Sequence, residues 1–128
     1  MKKMVSLFLC IVIIFSLCAC GSSQNKKVVG TWSGEFVYEN GRHLIRKLQI
    51  YEDGTVEKTD YYNPQYYRNT KEGEKYTGAD GTWEISSGIM KLTLSAFATY
   101  YERYQLDLEN NKMSLVNGDY DAVLIKQN

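Results

Sequence analysis

The feature that most constrains this chain is the close spacing of its turn signals. Dipeptides that favour tight turns recur at Asn40-Gly41, Asp53-Gly54, Asn110-Asn111 and Asn117-Gly118, with Ser87-Gly88 as a weaker fifth. Between them apolar and polar residues alternate, which is the pattern of half-buried strands, and no window keeps a helical period for three turns. Turns so close together suit antiparallel hairpins and leave no room for the crossovers of a parallel sheet. The expected strands run over 29–39, 42–52, 55–62, 75–86, 89–95, 99–109, 112–116 and 119–126, with at most a short helix near 63–72. Eleven tyrosines against a single proline agree with this, since tyrosine suits strands and proline interrupts them.

Alternation then assigns the faces. Gly30, Trp32, Gly34, Phe36 and Tyr38 share one side of the first strand, with Thr31, Ser33 and Glu35 opposite. The second strand offers Leu44, Leu48 and Ile50, and Arg46 falls among them. Trp83 with Ile85 follow, then Met90, Leu92 and Leu94, then Tyr100, Tyr104, Leu106 and Leu108, with Glu102 on that same face. Met113 with Leu115 and Val123 with Ile125 complete the set, although Leu124 competes for the inner face of the last strand. Strands with one apolar face each bury it only by closing on themselves. The expected fold is all-β: an antiparallel up-and-down meander of about eight strands forming a small barrel, or a strongly bent sheet folded over.

The first residues are of another kind. Lys2 and Lys3 precede an apolar run from Val5 to Leu17, broken only by Ser6 and Ser16. A membrane span needs about 20 apolar residues, so this run fits the core of a secretory signal. Leu17-Cys18-Ala19-Cys20 resembles the lipobox of bacterial lipoproteins. That resemblance implies cleavage after Ala19 and a diacylglycerol carried by the Cys20 sulfur, with palmitate-like acyl chains in the bilayer. The expected organisation is a signal peptide over 1–19, a lipidated Cys and flexible tether over 20–27, and one barrel domain over 28–128. The protein would then sit on the extracytoplasmic face of the cell membrane; the other reading is an uncleaved signal anchor. Each buried methylene contributes about 0.8 kcal/mol, so one acyl chain holds weakly and two hold stably.

Cleavage would remove Cys10 and Cys18, leaving only the lipidated cysteine. Disulfides, thiol redox chemistry and cysteine-based zinc sites are then excluded, and the domain must stand on its hydrophobic core. Without Lys2 and Lys3, thirteen basic residues face fifteen acidic ones, a net charge of about −2. No stretch concentrates Lys and Arg, so nucleic acid is not an expected partner.

Val29-Gly30-Thr31-Trp32 is similar to the Gly-x-Trp that opens lipocalins. The hairpin from Leu48 to Thr55, the later Gly81-Thr82-Trp83 and the closing Leu-rich strands resemble small bacterial lipocalin-like lipoprotein domains, across most of 28–126. The chain is shorter than a full lipocalin, and its repeated Gly-Thr-Trp also fits two similar half-sheets. The resemblance implies a lipocalin-like barrel with one open end and an apolar or amphipathic ligand; a collapsed interior without a cavity is equally compatible with it.

Two functional readings follow. In the first, a small ligand lies in the barrel against Trp32, Phe36, Tyr38, Trp83, Tyr100 and Tyr104. Arg46 and Glu102, charged residues on inward faces, serve as polar anchors, with Arg46 suited to a carboxylate or phosphate. A β-bulge or an open barrel end that exposes either charge is the structural alternative. In the second, the stretch from Asp60 to Arg68 presents Tyr61, Tyr62, Tyr66, Tyr67 and Arg68 to an envelope protein or glycan. His43, the only histidine, faces away from Leu44 and Leu48 as a solvated strand residue, and no triad can be assembled around it. Asp119 and Asp121 alone fall short of a calcium loop. No catalytic residue, metal or cofactor is expected: the chain reads as a binder rather than an enzyme.

Overall fold

The computed structural model describes residues 25–67 and 74–128; Cys20 with the signal-like segment, and Arg68, lie outside the described residues. The strands are β1 (Gly30–Val37), β2 (His43–Ile50), β3 (Thr55–Tyr62), β4 (Lys75–Ser86), β5 (Ile89–Ser95), β6 (Thr99–Asp107), β7 (Lys112–Leu115) and β8 (Val123–Lys126). Each pairs antiparallel with the next, and β8 returns to β1, so the sheet closes as the expected up-and-down, lipocalin-like barrel.

The turn residues act through different geometries. Ser87 and Gly88 both have positive φ, 52° and 77°, which a two-residue type I′ turn requires. At Asn40-Gly41 and Asp53-Gly54 only the glycines do, at 82° and 91°, and the loops are longer. The Tyr51 N–H donates to the Thr55 carbonyl and the Gly54 N–H to the Tyr51 carbonyl. The Asp53 carboxylate accepts from the Thr55 hydroxyl (2.6 Å) and N–H (2.9 Å), which holds its carboxyl below the usual range. Asn117-Gly118 is not a tight turn. It belongs to the 116–121 loop, where the Asn117 amide accepts from the Arg103 N–H and donates to the Tyr101 carbonyl, tying the loop to β6.

The barrel has a closed base and an open mouth. The connections after β2, β4 and β6 lie at the base; those over 38–42, 96–98 and 116–122 lie at the mouth, where β3 also ends and β4 begins. Helical residues 25–28 cover the base, where buried Val28 accepts a hydrogen bond from Trp32 Nε1–H at 2.9 Å. Lys126 Nζ lies 6.0 Å from the Trp32 ring and donates to the Lys27 carbonyl. Above them Leu48, Ile50, Met90, Leu92 and Met113 are fully buried, each contributing about 1.5–3 kcal/mol by leaving water.

Two expectations are corrected. The last strand begins at Val123 rather than 119, and Val123 and Ile125 face outward, 40% and 44% exposed, while Ala122 and Leu124 are buried. Pairing explains the choice: Leu124 stands opposite inward Met113, and β8 approaches β1 at Gly34, where a Cβ would overlap the Val123 carbonyl oxygen. Residues 119–121 leave the ladder because Tyr120 turns inward to Arg46. Of the short helix expected near 63–72, described residues 63–67 form a turn in which the Tyr66 N–H donates to the Asn63 carbonyl.

Candidate functional site

One register step from Leu48 toward the mouth, the inner face turns from apolar to charged. Arg46 on β2 stands directly opposite Asp60 on β3, and Lys58 precedes Asp60 on the same face. Arg46 grips Asp60 with two bonds, Nε to Oδ1 at 2.9 Å and Nη2 to Oδ2 at 3.1 Å. Its Nη1 donates to the Tyr104 hydroxyl (3.1 Å) and lies 3.3 Å from Glu102 Oε2, while Nη2 also donates to the Tyr120 hydroxyl (2.9 Å). Lys58 Nζ donates to Glu102 Oε2 (2.8 Å) and to the Tyr100 hydroxyl (3.2 Å), and the Tyr104 hydroxyl donates to Glu102 Oε1 (3.0 Å).

The four charged residues are buried, with Arg46 at 0% and none above 6% exposure. Buried charge is tolerated only when paired and hydrogen-bonded. Here two cations meet two anions, and among the described residues no buried side-chain nitrogen or oxygen lacks a partner. The guanidinium also lies 4.5 Å from the Phe36 ring and 5.5 Å from the Tyr120 ring, which favours a cation over their π faces. Burial alone would lower the Arg46 pKa, but Tyr104, Asp60 and Glu102 outweigh it and hold the group above its ordinary value. Burial pushes Tyr100 up to about 12, and raises Tyr104 and Tyr120 as well, so all three are neutral phenols at physiological pH.

Above this floor a cavity of about 560 Å³ opens at the mouth. Tyr38, Tyr76, Tyr100 and Tyr120 wall it, and Glu39, Ala96 and the 117–119 segment form its rim. Of the ligand-contacting residues expected from the sequence, Tyr38, Arg46, Tyr100 and Glu102 meet here. Tyr104 lies fully buried below them, and Phe36 is buried against Tyr120, ring centroids 5.2 Å apart. The two tryptophans lie elsewhere. Trp32 belongs to the base core, and Trp83 donates its Nε1–H to the Tyr51 carbonyl beside a second cavity of about 470 Å³ with Asn25, Lys26 and Glu52. Every nitrogen of the Arg46 side chain is engaged within the protein, so it organises the floor instead of reaching for a ligand.

Sequence reasoning missed Lys58, Asp60, Tyr76 and Tyr120. A strict period of two counted from Val56 finds the first two, because Val56, Lys58 and Asp60 all point inward. Tyr120 shares the parity of Ala122 and Leu124, so choosing Val123 and Ile125 as the inner face of the last strand turned it outward.

The tyrosine-rich stretch is largely spent on the rim. Tyr62 packs edge-on against Tyr67 (5.2 Å) and Tyr76 (5.3 Å) and accepts from Arg42 Nη1. The Tyr67 hydroxyl accepts from the His43 N–H. Tyr66 is 51% exposed and stacks on His43 at 3.7 Å, so His43 is half-buried beneath a ring and not simply solvated. Tyr61 is half-buried beside Lys47 and Gln49. Asp119 and Asp121 are exposed, and among the described residues no group of three His, Cys, Asp or Glu side chains could hold a metal ion. No protein-family model matches the chain, and neither a curated protein nor a solved structure shows a significant match to it.

Proposed function

We propose that this chain is a lipid-anchored protein of the extracytoplasmic membrane face whose barrel mouth binds a small amphipathic ligand. The observation that carries the reading is the 560 Å³ cavity walled by tyrosines over a self-neutralised charged floor. Its volume falls within the roughly 300–1,000 Å³ of small-molecule sites, and its chemistry combines apolar rings with fixed polar groups. A wholly apolar ligand fits less well, because covering the floor would remove water from polar groups without replacing its hydrogen bonds. Asp60 and Glu102 are held in ion pairs, which supports binding without proton transfer. The anchor rests on the lipobox-like residues ending at Cys20.

Native mass spectrometry of the detergent-solubilised protein from its host tests the pocket. A bound mass of a few hundred daltons should be present, and Ala96→Trp, which places a bulky ring at the rim, should abolish it. A mass that persists in the variant would put the ligand elsewhere. Phe97, wholly exposed at the tip of the 96–98 loop, favours a second reading in which the rim docks on an envelope protein or glycan. In that case Phe97→Ser with Tyr66→Ala would abolish capture of the partner while leaving any bound small molecule in place.

A further inference from the structure

Resting on the mouth being a binding site, we infer that its ligand is a neutral saccharide, received by tyrosine hydroxyls that the buried charges hold in place with their protons free to donate. A phenol has one O–H and two lone pairs. The Tyr100 oxygen already accepts from Lys58 and the Tyr120 oxygen from Arg46, so each still offers its proton and one lone pair. No described residue accepts that proton. The Tyr76 oxygen likewise accepts from the Asn40 amide at 3.4 Å, leaving a third O–H on the same wall.

The acceptors of the floor are consumed in the opposite sense. Both Asp60 oxygens take Arg46 nitrogens; Glu102 Oε1 takes the Tyr104 hydroxyl and Oε2 takes Lys58. The floor is therefore satisfied from within: the free O–H donors lie on the wall, and the free acceptors are the Glu39 and Asp119 carboxylates at the rim. The site is not built for an anion: Arg46 and Lys58 face four lining carboxylates, Glu39, Asp60, Glu102 and Asp119, a balance of −2. Nor is its floor built for a cation, since the Asp60 and Glu102 carboxylates are already paired with Arg46 and Lys58. A long acyl chain finds the lower barrel filled by Trp32, Leu48 and Leu92.

What matches is an uncharged ligand with many acceptor oxygens and apolar ring faces. A pyranose has both: its C–H faces lie on aromatic rings that are apolar in body and polar at the tip, while its hydroxyl and ring oxygens accept from the phenols.

Ring-labelled [¹³C]tyrosine spectra of the detergent-solubilised full chain test this directly. The probes are maltotriose, cellotriose, mannotriose and chitotriose, with dodecanoate and choline as competing classes. At least one trisaccharide should shift Tyr38, Tyr100 and Tyr120 saturably, leaving exposed Tyr66 unmoved. Tyr100→Phe and Tyr120→Phe, which keep the ring and lose the O–H, should each weaken that binding about two- to tenfold, the value of one hydrogen bond. Should either variant fold poorly, Tyr76→Phe at the rim removes a donor outside the buried network and should weaken binding to a similar extent. If no trisaccharide shifts these tyrosines, the assignment is overturned. Dodecanoate or choline shifting them instead would leave the mouth as a site for another class. Silence from every probe would overturn the binding reading as well.

Discussion

Arg46→Met isolates the contribution of the buried network. The variant keeps most of the side-chain volume over Phe36 but leaves Asp60 without either of its two hydrogen bonds. Glu102 fares better, because Lys58 and Tyr104 still hold it. Removing one partner of a buried pair typically costs about 3–5 kcal/mol. The cheapest escape for an orphaned carboxylate is to take up a proton. From the ordinary Asp value of about 3.9, that costs about 4 kcal/mol at pH 7 and about 1.5 kcal/mol at pH 5. The sign follows: a carboxyl whose folded-state pKa has been pushed up favours the folded state at low pH and opposes it as pH rises. The expected deficit against the parent is thus about 3–4 kcal/mol at pH 7, shrinking toward 1.5 at pH 5, out of a total stability of about 5–15 kcal/mol. Urea unfolding at the two pH values, analysed at constant m, measures it. A second substitution, Asp60→Leu, should restore more than half of the pH 7 loss by removing the stranded charge. A loss below about 1 kcal/mol at pH 7, or one that does not shrink at pH 5, would refute the view that the pair is dry and mutually dependent.

Other outcomes follow from single features. Gly34→Ala should open the β1–β8 seam, because the collision is with the Val123 backbone and not with a movable side chain; a cost of about 1–3 kcal/mol and faster hydrogen exchange at Leu124 are expected. Raising the pH from 10 to 12 should destabilise the fold. Tyr100, pushed up to about 12, and Tyr104, raised by its burial, keep their protons to higher pH when folded than unfolded tyrosines, which ionise near 10. Tyrosinate absorbance should accordingly show a class that titrates only on unfolding. Cys20→Ser should abolish incorporation of radiolabelled palmitate while leaving the melting temperature within about 2 °C, since the lipid would touch no part of the core.

Strand boundaries were legible where a turn dipeptide pins both neighbours, as Ser87-Gly88 pins the end of β4 and the start of β5. Arg46 and Glu102 were legible because each interrupts a row of inward apolar residues. Their partners were not. β3 reads Thr-Val-Glu-Lys-Thr-Asp-Tyr-Tyr, polar on both sides, so Lys58 and Asp60 interrupt nothing. β8 carries apolar side chains on both faces, and only the opposing Met113 and the approach at Gly34 settle which turns inward. Trp83 shares an inward parity with Ala79, yet lies toward the base. Parity assigns a face and is silent about height along the barrel.

The helical residues that cover the base also give the molecule a direction. If Cys20 carries a lipid, the linking residues 20–24 reach at most about 17 Å when fully extended. The bilayer then lies against the closed pole, and the tyrosine-walled mouth looks the other way. A ligand of the mouth would then arrive from the surrounding water and not up out of the membrane. So anchored, the protein would be a short outward-facing cup whose floor stands about half a barrel's height above its base.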